Sequence, residues 1–77
     1  MNKPPFRIGQ VWEYDDGYGF TLQVVSVEPF KMKCVKIGDS KWRVGEVNSI
    51  NSRTIKQSCH CRFDFSDYLK EVEQIAN

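Results

Sequence analysis

Seventy-seven residues hold one domain at most, and a chain this short removes only about 60% of its unfolded surface from water. With 40% hydrophobic residues, 27% charged residues and a net charge of +1, it is expected to be neither a charged disordered tail nor a membrane span. Its size excludes a large enzyme with separate cofactor and substrate lobes.

The apolar residues have a β character. Val, Ile and Thr total 15, and 13 of them fall between Ile8 and Ile55, whereas Leu occurs only at Leu22 and Leu69. Branched side chains suit a pleated, half-buried surface, so strands are expected first and one helix last. Pro4 and Pro5 make residues 1–7 an extended arm. Val11–Tyr14 is a predicted strand. A five-residue glycine-rich loop, Asp15–Gly19, then places Tyr14 opposite Phe20 and Trp12 opposite Leu22.

In Phe20–Glu28 the apolar positions run 20, 22 and 24, then 25 and 27. In Lys31–Ile37 they run 32 and 34, then 35 and 37. A hairpin with a Glu28–Lys31 loop would set Val24 against Val35, Val25 against Cys34, Leu22 against Ile37 and Val27 against Met32. Both strands would then change face at one rung, as a sharply bent hairpin requires. Two strands buried on both faces are the alternative.

Gly38-Asp39-Ser40 reads as a turn and Lys41–Val44 as a short strand. Glu46–Ser52 fits one helical turn or a short strand. Thr54–Gln57 and Cys59–Phe63 read as a strand pair or one kinked strand, with Cys59, Cys61 and Phe63 on one face and His60 and Arg62 on the other. Asp64 is a good N-cap for a C-terminal helix over residues 64–76, whose apolar stripe is Phe65, Leu69, Val72 and Ile75 or Ala76. The fold expected is mainly β: a small five-stranded bent barrel over 8–63 with that helix after it.

Ile8-Gly9-Gln10-Val11-Trp12, then Asp16-Gly17, then Gln23-Val24-Val25-Ser26-Val27 resemble the opening of KOW-like and Tudor-like members of the SH3-like barrels. There a hydrophobic-Gly-x-Val segment precedes a turn and a long curved strand. The resemblance covers roughly residues 6–50. It implies a binding module for RNA, ribosomal surfaces, peptides or modified side chains. In size and single-domain form alone, the chain is also similar to phage-encoded inhibitors of host defence, anti-CRISPR proteins among them.

Charge is segregated. Residues 31–62 hold eight basic side chains (Lys31, Lys33, Lys36, Lys41, Arg43, Arg53, Lys56, Arg62) and two acidic ones (Asp39, Glu46), 8 − 2 = +6, while both flanks are acidic. Lys31, Lys33, Lys36, Lys41 and Arg43, with the aromatics Tyr18, Phe30 and Trp42, form the candidate partner-binding set. A solvated strand face and core aromatics are the structural alternatives. The net charge near zero argues against non-specific coating of DNA.

Cys59-His60-Cys61 with Cys34 matches a zinc donor set, but on a strand His60 points away from both neighbouring thiols, and no C-x-x-C knuckle exists. Free buried thiols are the expected state, with a disulfide from Cys34 to Cys59 or Cys61 and a zinc site as alternatives. An odd cysteine count, with no apolar run after Arg7, points to a reduced, cytoplasmic protein. One histidine, and one adjacent acidic pair (Asp15-Asp16) in a turn, give catalysis little to work with. The expected function is a non-enzymatic module, without cofactor, metal or small-molecule substrate, that docks a protein or nucleoprotein complex in the manner of a phage-type inhibitor of a nucleic-acid-handling system. A KOW-like RNA- or DNA-binding barrel and a zinc-stabilised structural domain are the alternatives. No membrane partner is expected, and self-association through a strand edge is a further option.

Overall fold

The computed structural model describes residues 4–38 and 41–64. They form one antiparallel sheet with strand order β4-β3-β2-β1-β5 and one short helix. The elements are β1 (Val11–Tyr14), β2 (Thr21–Val27), β3 (Phe30–Lys36), β4 (Val47–Ser49), α1 (Ser52–Ser58) and β5 (Cys59–Phe63). No described helix is long and apolar enough to cross a membrane. The helix expected over 64–76 lies outside the described residues beyond Asp64, as do Asp39 and Ser40 of the predicted turn.

The first hairpin follows the sequence expectation. Trp12 pairs with Leu22, and the Tyr14 amide donates to the Phe20 carbonyl at 2.9 Å across the five-residue loop. Tyr14 and Phe20 stack at 5.1 Å between ring centroids. Within the loop, Asp16 Oδ1 accepts from the Tyr18 amide at 3.0 Å, the local bond that makes aspartate a turn residue.

The second hairpin differs from the expectation. Val27 pairs with Phe30, so Glu28 and Pro29 alone form the connection, through a cis Glu28–Pro29 peptide. Leu22 faces Cys34 rather than Ile37, and Val24 faces Met32 rather than Val35. The two changes of apolar phase have separate causes. The register shifts between Val24 and Ser26 leave Val25 as an extra residue in β2. The shift between Thr21 and Leu22 leaves Val35 as an extra residue in β3. Each is a bulge, which inserts one unpaired residue and swings the following side chains to the other face. The bulges stand at different rungs, so no single bend turns both strands together.

Lys41–Val44 is not a strand. Glu46 N donates to Arg43 O at 3.0 Å, closing a turn in which Gly45 has φ +89° and no other residue has positive φ. This is the type II pattern, with glycine at the third position. Gly45 N also donates to Cys34 O at 2.8 Å, and Cys34 N donates to Glu46 O at 2.9 Å. One residue of β3 therefore faces two on the returning chain, a bulge that needs glycine at its first position. β4 follows at once.

Thr54–Gln57 is helical, not extended. Asn51 Oδ1 accepts from Arg53 N at 2.9 Å and caps α1, leaving Ile55 as its buried residue. β5 then returns to pair with β1, Cys59 opposite Tyr14 and Cys61 opposite Trp12. A further register shift at Val11/Trp12 makes Arg62 the unpaired residue. Phe63 consequently pairs with Val11 and leaves the face of Cys59 and Cys61, contrary to simple alternation.

The core lies on one side of the sheet. Trp12, Phe20, Leu22, Val24, Met32, Cys34, Ile55 and Cys59 are buried there. Phe6, Trp42 and Ile50 pack over them from outside the strands. The proline-containing arm is held by Gln10, whose carboxamide is fully buried beneath it. Strands β4 and β5 are the sheet edges and do not pair with each other.

Candidate docking surface

The face opposite the core carries the polar residues in cross-strand rows. One row runs Val47, Lys33, Gln23, Val11, Phe63; the next runs Lys36, Thr21, Glu13, His60. Lys31 lies between Ser26 and Ser49. Alternation along β3 thus puts Lys31 and Lys33 on this outer face, and the bulge at Val35 returns Lys36 to it.

The two ends of the face differ electrostatically. On β1 and β5 the charges pair with one another. Arg62 Nη1 lies 3.1 Å from Glu13 Oε2, and the His60 ring lies between Glu13 (3.6 Å) and Asp15, to which Nδ1 is hydrogen-bonded. On β3, Lys31, Lys33 and Lys36 form no ion pair among the described residues. Their positive charge is therefore available to a partner, while at the opposite end of the sheet Arg62 is paired with Glu13.

Lys41 and Arg43 are exposed in the chain joining β3 to β4, on the approach to the Gly45 turn. The aromatic candidates separate. Tyr18 is 63% exposed at a loop tip. Trp42 is half-buried, edge-on to Phe20 at 5.8 Å, and Phe30 is half-buried with its ring 4.5 Å from Phe6. Both serve the core periphery.

Sequence reading missed the aliphatic side chains near these cations. Val35 is 42% exposed, Ile37 54%, Val44 64% and Val47 47%. Val47 pairs with Lys33, and Val44 precedes the Gly45 bulge that stands opposite Cys34. The signal in the sequence is the phase change at Cys34–Val35 and the two valines flanking Gly45.

No disulfide joins Cys34, Cys59 and Cys61. Cys59 and Cys61 lie on the core side while His60 lies on the outer face, and no group of three or more potential metal ligands is gathered among the described residues. Burial pushes the Cys34 thiol up from its ordinary 9.0, with Glu46 adding to the shift, and burial likewise raises the Tyr14 phenol above 10.0. A raised folded value means that folding favours the protonated form. This stability is complete below the unfolded value and is lost as pH climbs through the folded one. The denaturation midpoint should hold from pH 7 to about 9 and then fall, and Cys34→Val should move the onset toward 10. A midpoint level to pH 11 in the parent protein would contradict this.

No family model matches the chain, and no curated protein or solved structure matches it either.

Proposed function

We propose that this protein is a non-enzymatic docking module that binds an acidic protein surface, free or within a nucleoprotein complex, through the β3–β4 side of its sheet. The observations that carry the reading are the exposed aliphatics Val35, Ile37, Val44 and Val47, all on β3, β4 or the chain joining them, and the pairing of Val47 with Lys33 across the strands. Aliphatic surface left in water beside uncompensated charge suits a protein partner with an apolar centre and a carboxylate rim. A nucleic-acid reader would present flat rings for base stacking. Here Trp42 and Phe30 pack at the core, and the rings left exposed among the described residues, Tyr18 and Phe63, lie on the β1–β2 loop and on β5 rather than on β3 or β4.

We read the fold as an SH3-like barrel and the compartment as the cytoplasm. The strand order supports the first: β1 to β4 form a meander, β5 returns to β1, and α1 joins the two edge strands, which stay unpaired and leave the barrel open at β4. Three cysteines, an odd count with none bridged, support the second.

Capture from a native-host extract, with and without nuclease, tests the docking reading. The parent protein should retain one partner after nuclease, at fixed stoichiometry. The pair Lys33→Glu and Lys36→Glu should weaken that retention at least about 10-fold while leaving the circular dichroism unchanged. Retention lost on nuclease treatment would favour the nucleic-acid alternative. Retention indifferent to both charge reversals would remove this face from consideration.

A further inference from the structure

We infer that the outer edge of β4 is a strand-addition site, accepting an extended segment of the partner protein that carries carboxylates at alternate positions. The inference rests on the docking reading above and specifies its mode.

The hydrogen-bond phase of the β3–β4 ladder fixes which backbone groups face outward. Cys34 exchanges bonds with Gly45 and Glu46. Along an antiparallel pair, bonded and non-bonded positions alternate. Lys33–Val47 is therefore a non-bonded pair, Met32–Asn48 a bonded one and Lys31–Ser49 non-bonded. Asn48 turns its amide and carbonyl toward β3. Val47 and Ser49 turn theirs away from the sheet, two donors and two acceptors at the spacing an added strand uses.

Nothing on β4 blocks that edge. Natural edges are guarded by lysine, proline or a bulge on the edge strand itself. β4 reads Val-Asn-Ser, all three residues are exposed, and the bulge at Gly45 lies before the strand. The second row of the sheet supplies the selectivity. Lys33 stands directly behind Val47 and Lys31 directly behind Ser49, on the outer face. Residues added opposite Val47 and Ser49 would extend those two rows, two strand spacings or about 10 Å from the lysine Cα atoms. Lysine and glutamate side chains together span that distance. A second copy of this chain fits less well, because edge pairing would bring Lys31 and Lys33 of both copies into shared rows.

The test uses the labelled full chain and the peptide acetyl-Glu-Thr-Glu-Thr-Glu-amide at millimolar concentration, followed by amide NMR. The expected result is a downfield shift and about 10-fold slower exchange at the Val47 and Ser49 amides, with the lysine counterpart, acetyl-Lys-Thr-Lys-Thr-Lys-amide, inert. Ser49→Pro removes one outward donor and leaves the bond between Asn48 and β3, so it should abolish the response while the Met32–Asn48 cross-strand contact persists. Ser49→Glu leaves the backbone unaltered and should abolish it by repulsion. Scattered shifts, equal response to both peptides, or concentration-dependent shifts at Val47 and Ser49 without peptide would overturn the inference. In the capture experiment, loss with Lys33→Glu but not with Ser49→Pro would reject strand addition alone. Indifference to Lys33→Glu would reject the docking reading itself.

Discussion

Replacing Gln10 with leucine is expected to cost about 3 kcal/mol, much of what a domain this size has to lose (roughly 4–12 kcal/mol). Gln10 is fully buried. Its Oε1 accepts from the indole Nε1 of Trp12 at 3.1 Å and from the Arg7 amide at 2.9 Å, and its Nε2 donates to the Pro5 carbonyl at 2.9 Å. Leucine fills similar space and offers none of these bonds. The Trp12 N–H would then be buried without an acceptor, at about 1–3 kcal/mol. The arm would lose its fastening, and with it the ring contacts of Phe6 to Trp12 (5.0 Å) and Phe30 (4.5 Å), each worth about 0.5–1.5 kcal/mol. Adding Trp12→Phe removes the orphaned donor as well as the acceptor, so the double variant should fall short of additivity by about 1 kcal/mol or more. Urea denaturation of the four proteins in the cycle measures this. A Gln10→Leu midpoint within about 0.5 kcal/mol of the parent would refute the fastening role.

Gly38→Ala is expected to destabilise by about 2–3 kcal/mol through overpacking. An added Cβ would sit 2.7 Å from Phe20 Cβ, 2.8 Å from Phe20 N and 3.0 Å from Phe20 Cα. Two of those atoms are backbone, and Phe20 is held between Tyr14 and Trp42, so the neighbour has little room to yield. Gly38 has no positive φ, so alanine has no conformational objection there and the whole effect is steric. Gly17 is the converse: its φ is +86° and a Cβ would meet nothing within 4 Å. Gly17→Ala should therefore cost only the left-handed backbone penalty, about 1–2 kcal/mol. Thermal melts of both variants compare crowding with conformation. A Gly38→Ala protein more stable than Gly17→Ala would show that the Phe20 backbone gives way easily.

The first hairpin and β5 were legible because local patterning decided them. Tyr14, Trp12, Phe20 and Leu22 want one face, and only the five-residue loop allows it. The second hairpin was legible in its phase changes and misread in their cause. A bulge and a coordinated bend leave the same trace in one strand, and only the cross-strand pairing places Val25 and Val35 at separate rungs. α1 is seven residues long, too short for helical periodicity, and Thr54–Gln57 reads as extended because the cap that starts the helix, Asn51, is not read as one. On the candidate surface, the lysines of β3 followed from alternation. The exposed Val47 did not, because it comes opposite Lys33 only through the glycine bulge at Gly45, a tertiary arrangement.

The placement of β1 has a consequence for synthesis on the ribosome. β1 lies between β2 and β5, and the arm before it is tied to α1 by a Lys56 Nζ to Pro4 carbonyl bond, with the ammonium 4.8 Å from the Phe6 ring centroid. These contacts join positions about fifty residues apart. A nascent chain emerging from the exit tunnel can zip β1 to β3 early, but Trp12 keeps an uncovered flank until Cys61 has cleared it. Folding of this protein therefore waits on the middle of β5, and any truncation before Cys61 yields a sheet whose Trp12 is open on one side.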